Sequence, residues 1–326
     1  MAPAPDAVAL WIEAAGRAAL RNAKVPAPGP DEVTVETQVS AISRGTERLV
    51  FAGEVPESEY ARMRCPLQEG AFPFPVKYGY AAVGRIVAGS AARLGETVFV
   101  LAPHQSRLTC PAAMALPLPA GLAPGRAVLA ANMETALNVV WDAGIGPGDR
   151  VAVVGAGVVG ALAARLCARM PGTEVTLIDI SPDRARLAAA LGCDFAAPGA
   201  AAAGGMDAVI HSSASAAGLA TALALAGPEA SVVEASWYGA RAVAAPLGGA
   251  FHSQRLRLVS SQVGRLPPVR APRWTHARRL SMALALLAED PATEVLISGE
   301  SALADLPAAY GDILAAPATL CHRVRY

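Results

Sequence analysis

Residues 32–40, Glu-Val-Thr-Val-Glu-Thr-Gln-Val-Ser, alternate apolar and polar positions, which predicts a half-buried β-strand. Residues 8–13, 81–88 and 96–101 read as further short strands. Proline and glycine break the chain between them, with a Pro-rich turn over 23–30. Residues 43–51 read as a polar loop entering a helical turn. Residues 53–75 carry several prolines and no period, and read as a long loop. Several strands with little helix predict a small β-barrel in the first third of the chain.

The pattern changes near Pro119. Residues 123–143 read as a helix ending at Gly144, and Pro147-Gly148-Asp149 leads into the apolar strand Val151-Ala-Val-Val. That strand runs into Gly155-Ala156-Gly157-Val158-Val159-Gly160, then into an alanine-rich helical stretch over 161–170 that stops at Pro171-Gly172. Gly155 permits a tight turn, Gly157 lets backbone approach a pyrophosphate, and Gly160 lets the helix pack close to the strand. A helix N-terminus there offers free N–H groups and a positive dipole end to phosphate. A second strand, 174–179, ends in Asp179, 19 positions after Gly160, close to the spacing of about 20 expected of a ribose-binding acid. The next helix is punctuated by Ser181 as N-cap, Pro182 at the first helical position and Gly192 past its end. Strands follow at 207–211, 231–236 and 256–261, then helices at 274–289 and 303–314 and a last strand at 321–326. Strands alternating with helices predict a doubly wound parallel sheet. The fold class is α/β, with a strand-rich domain over 1–120 completed by 268–326 and a dinucleotide-binding domain over 121–267.

Composition narrows the function classes. The chain has 326 residues, 53% apolar and 17% charged, with zero formal net charge. It is long enough for two domains with a large core. No electrostatic argument favours nucleic acid or an anionic membrane. The five cysteines are scattered without a C-x-x-C pair, against a disulfide framework or a structural zinc lobe. The first six residues lack a charged segment leading into a long apolar one, and no run suits a membrane span. The expectation is a cytoplasmic protein acting on a small molecule. No G-x-S-x-G elbow supports a hydrolase.

The order of elements resembles the medium-chain dehydrogenase/reductase superfamily along nearly the whole chain. The resemblance rests on residues 25–33 (Val-Pro-Ala-Pro-Gly-Pro-Asp-Glu-Val), on 148–160 around the glycine motif, and on Leu306-Pro-Ala-Ala-Tyr. Ala41-Ile-Ser-Arg-Gly-Thr-Glu47 and Tyr78-Gly-Tyr-Ala-Ala-Val-Gly84 are similar to the branch that contains bacteriochlorophyllide a dehydrogenase. The resemblance implies a GroES-like β-barrel, a Rossmann domain and a C-terminal return to the barrel, with a homodimer formed through the Rossmann sheet edge. Zinc members place a Cys, a His and a further Cys or Glu where this chain has Ser43, Tyr80 and, approximately, Ala131. None is an ordinary zinc ligand, and catalytic zinc needs three, so no zinc is expected.

Hydride transfer at a carbonyl carbon still needs a group for the charge that develops on oxygen. The loops in the metal's place supply Ser43, Thr46, Glu47, Lys77 and Tyr80. Tyr80 ranks first, with a nearby cation expected to favour its phenolate. Its bland alternative is a lining or core tyrosine. Lys77 is one of two lysines in an arginine-rich chain, and its bland reading is a solvated surface charge. Glu134 reads as a proton acceptor beside the cofactor or as a first-turn helix acid. By the resemblance, Thr135 contacts the nicotinamide. His211 ends a strand near where that ring should lie, though a structural histidine is the blander reading. Asp179 favours NAD(H) over NADP(H), while Arg184 is the residue that would serve a 2′-phosphate. The leading expectation is a zinc-independent oxidoreductase acting on a secondary alcohol or ketone with NAD(H). Its rivals are an enone or quinone reductase and a nicotinamide-binding protein without turnover.

Overall fold

The computed structural model describes residues 6–326; the reading of residues 1–5 as free of a leader lies outside the described residues. The chain forms two compact units. One comprises residues up to Ala131 with Leu284–Glu289 and Ile297–Tyr326, the other Asn132–Ala283 with Asp290–Leu296.

The first unit is rich in antiparallel strands. Its longest strand, Glu32–Ser43, pairs with Ala82–Gly89, Arg107–Pro111 and Cys321–Arg325. The predicted alternation holds only over residues 35–38, where Val35 and Thr37 are buried while Glu36 and Gln38 face solvent; Val33, Thr34 and Val35 are buried in succession. From Val39 onward every residue is buried, so this end of the strand delivers Ser40 and Ser43 to the interior. A second sheet contains a hairpin that the pattern did not foretell: Arg17–Ala23 pairs with Ala7–Ala14. Arg-Ala-Ala-Leu-Arg-Asn-Ala has no alternation and a helical composition. Cross-strand pairing overrides that weak propensity, and Gly16 supplies the turn at φ +71°. The helix expected over 123–143 is two pieces, Pro124–Ala127 and Ala130–Ala143.

The second unit carries six parallel strands in the order Asp194–Ala196, Glu174–Ile178, Arg150–Val154, Met206–His211, Ala226–Glu234, Arg257–Ser260. Numbered along the unit, that is 3-2-1-4-5-6, the order of a Rossmann sheet. The order reverses between Arg150–Val154 and Met206–His211, and ligands of such sheets bind outside the carboxyl ends of the strands at that reversal. Buried Val151, Val153, Val209, Ile210, Val232 and Val233 form the sheet's interior. The chain thus combines a GroES-like strand-rich domain with a Rossmann domain. Among the described residues, no helix is long and apolar enough to cross a membrane.

One ion pair inside the second unit has a large structural share. The Arg279 side chain is 1% exposed and donates from Nε to Glu134 Oε1 at 3.0 Å and from an Nη to the Val263 carbonyl at 2.5 Å. Its other Nη reaches Asn138 Oδ1. Removing one member of a buried pair leaves the other charge uncompensated, at a cost of about 3–5 kcal/mol, whereas replacing both is far milder. Denaturant unfolding of R279M should show a loss of that order, and E134Q/R279M should recover most of it. Wild-type stability in R279M would contradict this role.

Candidate functional site

Two polar clusters, one in each unit, gather the residues singled out by sequence. In the second unit the buried strand Arg150–Val154 ends at Gly155, whose φ of +110° strains any other residue. A Cβ there would lie 2.7 Å from Ser213 N. A Cβ on Gly160 would collide with the Gly155 carbonyl oxygen and Ser212 Oγ. Protein packing therefore accounts for both glycines. Gly157 is different: its φ is −74° and nothing lies within 4 Å of a Cβ built on it. It is the exposed N-cap of the helix Val158–Ala168, whose N-terminus no side chain caps. The opening faces free N–H groups of Val158 and Val159 at a positive dipole end, a cradle that fits a pyrophosphate. Ala156, between the two loop glycines, is buried.

Asp179 stands one residue past Glu174–Ile178. Its Oδ2 accepts from Ala156 N at 2.8 Å and its Oδ1 from Ser181 N at 2.9 Å. Each oxygen keeps a further acceptor site, so the carboxylate is fixed to the glycine loop without being saturated. The helix expected to start at Ser181 begins at Arg184, since Pro182 and Asp183 form a turn first. Arg184 is half-buried on its first turn. Gly192 follows its end at φ +72°, as the punctuation implied.

Met206–His211 and Ala226–Glu234 end side by side in register. His211 Nδ1 lies 2.7 Å from Glu234 Oε2, and Nε2 lies 2.7 Å from Ser213 Oγ. Tyr238 donates its hydroxyl to Glu234 Oε2 at 2.9 Å, and Ser236 N donates to Oε1 at 2.8 Å. Burial alone would raise the Glu234 carboxyl, but its hydrogen bonds from His211 and Ser236 outweigh that and hold it below the usual range. Glu234, Tyr238 and Ser213 were not singled out from sequence. The available signal was an acid closing the apolar run Val232-Val233, masked because the strand was read as continuing to Ser236.

In the first unit the helix Arg44–Ala52 springs directly from Glu32–Ser43. Glu47 turns back from its first turn, and Oε1 accepts from Ser43 N at 2.7 Å. Its Oε2 receives Tyr310 Oη at 2.5 Å and lies 3.0 Å from His104 Nε2. His104 Nδ1 in turn lies 2.7 Å from Ser40 Oγ, which meets Tyr326 Oη at 2.8 Å. The Glu47 side chain is 0% exposed, and a carboxylate so deep is tolerable because donors surround it. It is an anchor of the unit and does not face solvent.

Tyr80 is half-buried and edge-on to Tyr78. Burial raises its phenol well above the usual range, with Glu47 and Cys65 adding to the rise, while hydrogen bonds with Ser43 and Thr46 pull the other way. The expected nearby cation does not serve it. Lys77 is buried, bonded to Gln105 Oε1 at 2.5 Å and paired with Glu69, so it is neither a solvated surface charge nor a partner of Tyr80. The balance holds the Tyr80 phenol towards its protonated form. Cys65 is buried too, and burial pushes its thiol up to about 12.

Glu134 and Thr135 lie in the helix Ala130–Ala143. Burial raises the Glu134 carboxyl, against the pull of Arg279. Its carboxylate is engaged in the ion pair described above, an occupation that neither sequence reading anticipated. Among the described residues, no three His, Cys, Asp or Glu side chains are grouped to hold a metal ion. Ser43 and Tyr80 stand where the resemblance puts two ligands, and a hydroxyl with a phenol of raised pKa makes a poor zinc donor set.

Residues 150–236 match the family model of the 3-hydroxyacyl-CoA dehydrogenase NAD binding domain. Among solved structures, the chain is similar to a Sinorhizobium meliloti 1021 protein assigned as a zinc-binding dehydrogenase and bound to NADP. That similarity has 23% identity and a TM-score of 0.76, covering 98% of this chain and 99% of the other. It is also similar to alcohol dehydrogenase TADH from Thermus sp. ATN1, at 20% identity and TM-score 0.74 over 98% and 99% of the two chains. For 2R,3R-butanediol dehydrogenase from Bacillus subtilis the values are 15%, 0.78, 98% and 100%. At these identities the likeness is one of fold: the chain has the two-domain architecture of those dehydrogenases from end to end.

Proposed function

We propose that this protein is an oxidoreductase that moves a hydride between a nicotinamide dinucleotide and a secondary alcohol or ketone, without zinc. The observation that carries the reading is Gly157. It is the one motif glycine that no protein contact requires, and it opens the helix N-terminus at the carboxyl edge of a 3-2-1-4-5-6 sheet. The pyrophosphate would lie on the N–H groups after Gly157, and Asp179 would accept from the adenosine ribose hydroxyls. The dinucleotide, when bound, supplies or accepts the hydride. Every other part of the chemistry falls to side chains of the chain itself.

Tyr80 is assigned the proton. As a neutral phenol it donates to the oxygen on which charge grows as a ketone is reduced, and it takes the proton back during oxidation. The hydroxyls of Ser43 and Thr46 already bond to its oxygen and would share the phenolate charge that donation leaves. Thr135 and His211 are assigned to the nicotinamide half. Lys77, Glu47 and Glu134 drop to positioning parts, because each is tied into a buried network of its own.

Gly157→Ala separates binding from folding. Its φ suits alanine and the space is empty, so thermal unfolding should stay within a degree or two of wild type. Dinucleotide affinity, by fluorescence titration, should fall about tenfold or more, because a methyl would hold the pyrophosphate off its donors. Unchanged affinity would remove the glycine loop from the binding site.

Asp179 supports NAD(H) over NADP(H), since a 2′-phosphate would meet a carboxylate fixed by Ala156 N and Ser181 N. Equal affinities for NADH and NADPH would contradict that preference.

Turnover of a secondary alcohol or ketone panel should survive prolonged chelation, with less than stoichiometric zinc by elemental analysis. Tyr80→Phe should cost about 10²–10⁴-fold in kcat, the range for losing a general acid. Zinc at one per chain, or full activity in Y80F, would refute the respective part. Hydride delivered to the conjugated carbon of an enone instead would place the same phenol on an enolate oxygen.

A further inference from the structure

Glu234, His211 and Tyr238 form a built polar cluster to which the proposed chemistry gives no task beyond the assignment of His211. It lies one strand from the glycine loop: Val154 is the register partner of His211, and His211 of Glu234. The backbone of Ser212 and Ser213 packs against Gly155. A dinucleotide whose adenosine ribose meets Asp179 on one side of the strand Arg150–Val154 must extend its other half to the opposite side. That side is formed by the ends of Met206–His211 and Ala226–Glu234.

The hydrogen-bond partners fix where the Glu234 carboxylate sits. Gly218 N can only donate, and it donates to Ser215 Oγ at 3.0 Å. Ser215 Oγ lies 3.0 Å from Ser213 Oγ, which lies 2.7 Å from His211 Nε2. Three donors then converge on the carboxylate: Nδ1–H, Ser236 N–H and the Tyr238 hydroxyl. Arg241 bonds to the Tyr238 carbonyl at 3.2 Å from an exposed position. Three hydrogen bonds thus fix the Glu234 carboxylate, an acid held below its usual range, at the side where the nicotinamide half would lie. The Glu234 side chain is 16% exposed, so solvent screens it only in part.

We infer that Glu234, held by His211 and Tyr238, is a charge-positioning residue that favours the oxidised, cationic nicotinamide ring over the reduced, neutral one. The inference rests on the dinucleotide reading above. A fixed anion stabilises the ring's positive charge and gives nothing to the uncharged dihydropyridine. The chain thereby sets the oxidation balance of its bound cofactor, independently of which substrate it turns over.

The test is the ratio of dissociation constants for oxidised and reduced dinucleotide, by calorimetry or fluorescence titration. In Glu234→Gln the ratio should move about tenfold against the oxidised form. Affinity for ADP-ribose, which lacks the ring, should stay near wild type. Tyr238→Phe removes one donor and keeps the charge, so its ratio should stay within about threefold of wild type. Glu234→Met, a second neutral variant, serves if the glutamine variant does not fold. An unchanged ratio in a folded neutral variant overturns the inference and leaves the dinucleotide reading standing. Y238F matching E234Q also overturns it, because lost hydrogen bonding rather than charge would then be the cause. Wild-type protein that binds neither dinucleotide form overturns both.

Discussion

The close approach of Gly160 to the Gly155 carbonyl is the constraint on which the second unit depends. A single Cβ at Gly160 would drive the helix Val158–Ala168 off the strand Arg150–Val154 and into Ser212 Oγ. The contact sets where the helix N-terminus points, and so where Gly157 opens. It also draws Ser212 and Ser213 against the loop, which fixes how the chain leaves Met206–His211 and where His211 meets Glu234. Packing thereby positions both the helix N-terminus at Gly157 and the His211–Glu234 pair one strand away.

The first unit answers a different constraint, a carboxylate with no water. Glu47 receives Ser43 N–H and the Tyr310 hydroxyl, and His104 stands at its remaining side with Ser40 and Tyr326 behind it. These partners come from the long strand, a loop, a late helix and the C-terminal residue. One buried charge therefore ties together parts of the chain up to 286 residues apart. Networks of this kind are costly when incomplete and rigid when complete. Tyr80 depends on that rigidity, since Ser43 and Thr46 flank Glu47 in sequence and are the hydroxyls that reach the phenol.

How much of this was legible in the sequence follows from what each feature needs. The glycine loop was fully legible because its requirements are local, a strand, three glycines and a helix within twenty residues. The alternating strand Glu32–Ser43 was legible for as long as one face met water, and ceased to alternate where both faces were covered. The hairpin strand Arg17–Ala23 was not, since only its partner makes it a strand. Lys77 looked like a surface charge because lysine usually is one. Its burial depends on Glu69 and Gln105, which no local pattern joins to it. Glu134 was placed on the correct helix, but its partner Arg279 lies 145 positions away.

The two units divide the chemistry along the same line. What the cofactor requires, phosphate donors, a ribose acceptor and a charge near the ring, can be built from the ends of parallel strands, and the sequence betrays most of it. What the substrate requires is a proton at one oxygen, and under the proposed function a phenol is given that task. A zinc site demands three ligands with fixed chemistry and so leaves a signature. A tyrosine demands only burial and two hydroxyls to share its charge, which any strand end and helix start can provide. A site of that kind therefore carries no spaced ligand set by which it could be read from sequence.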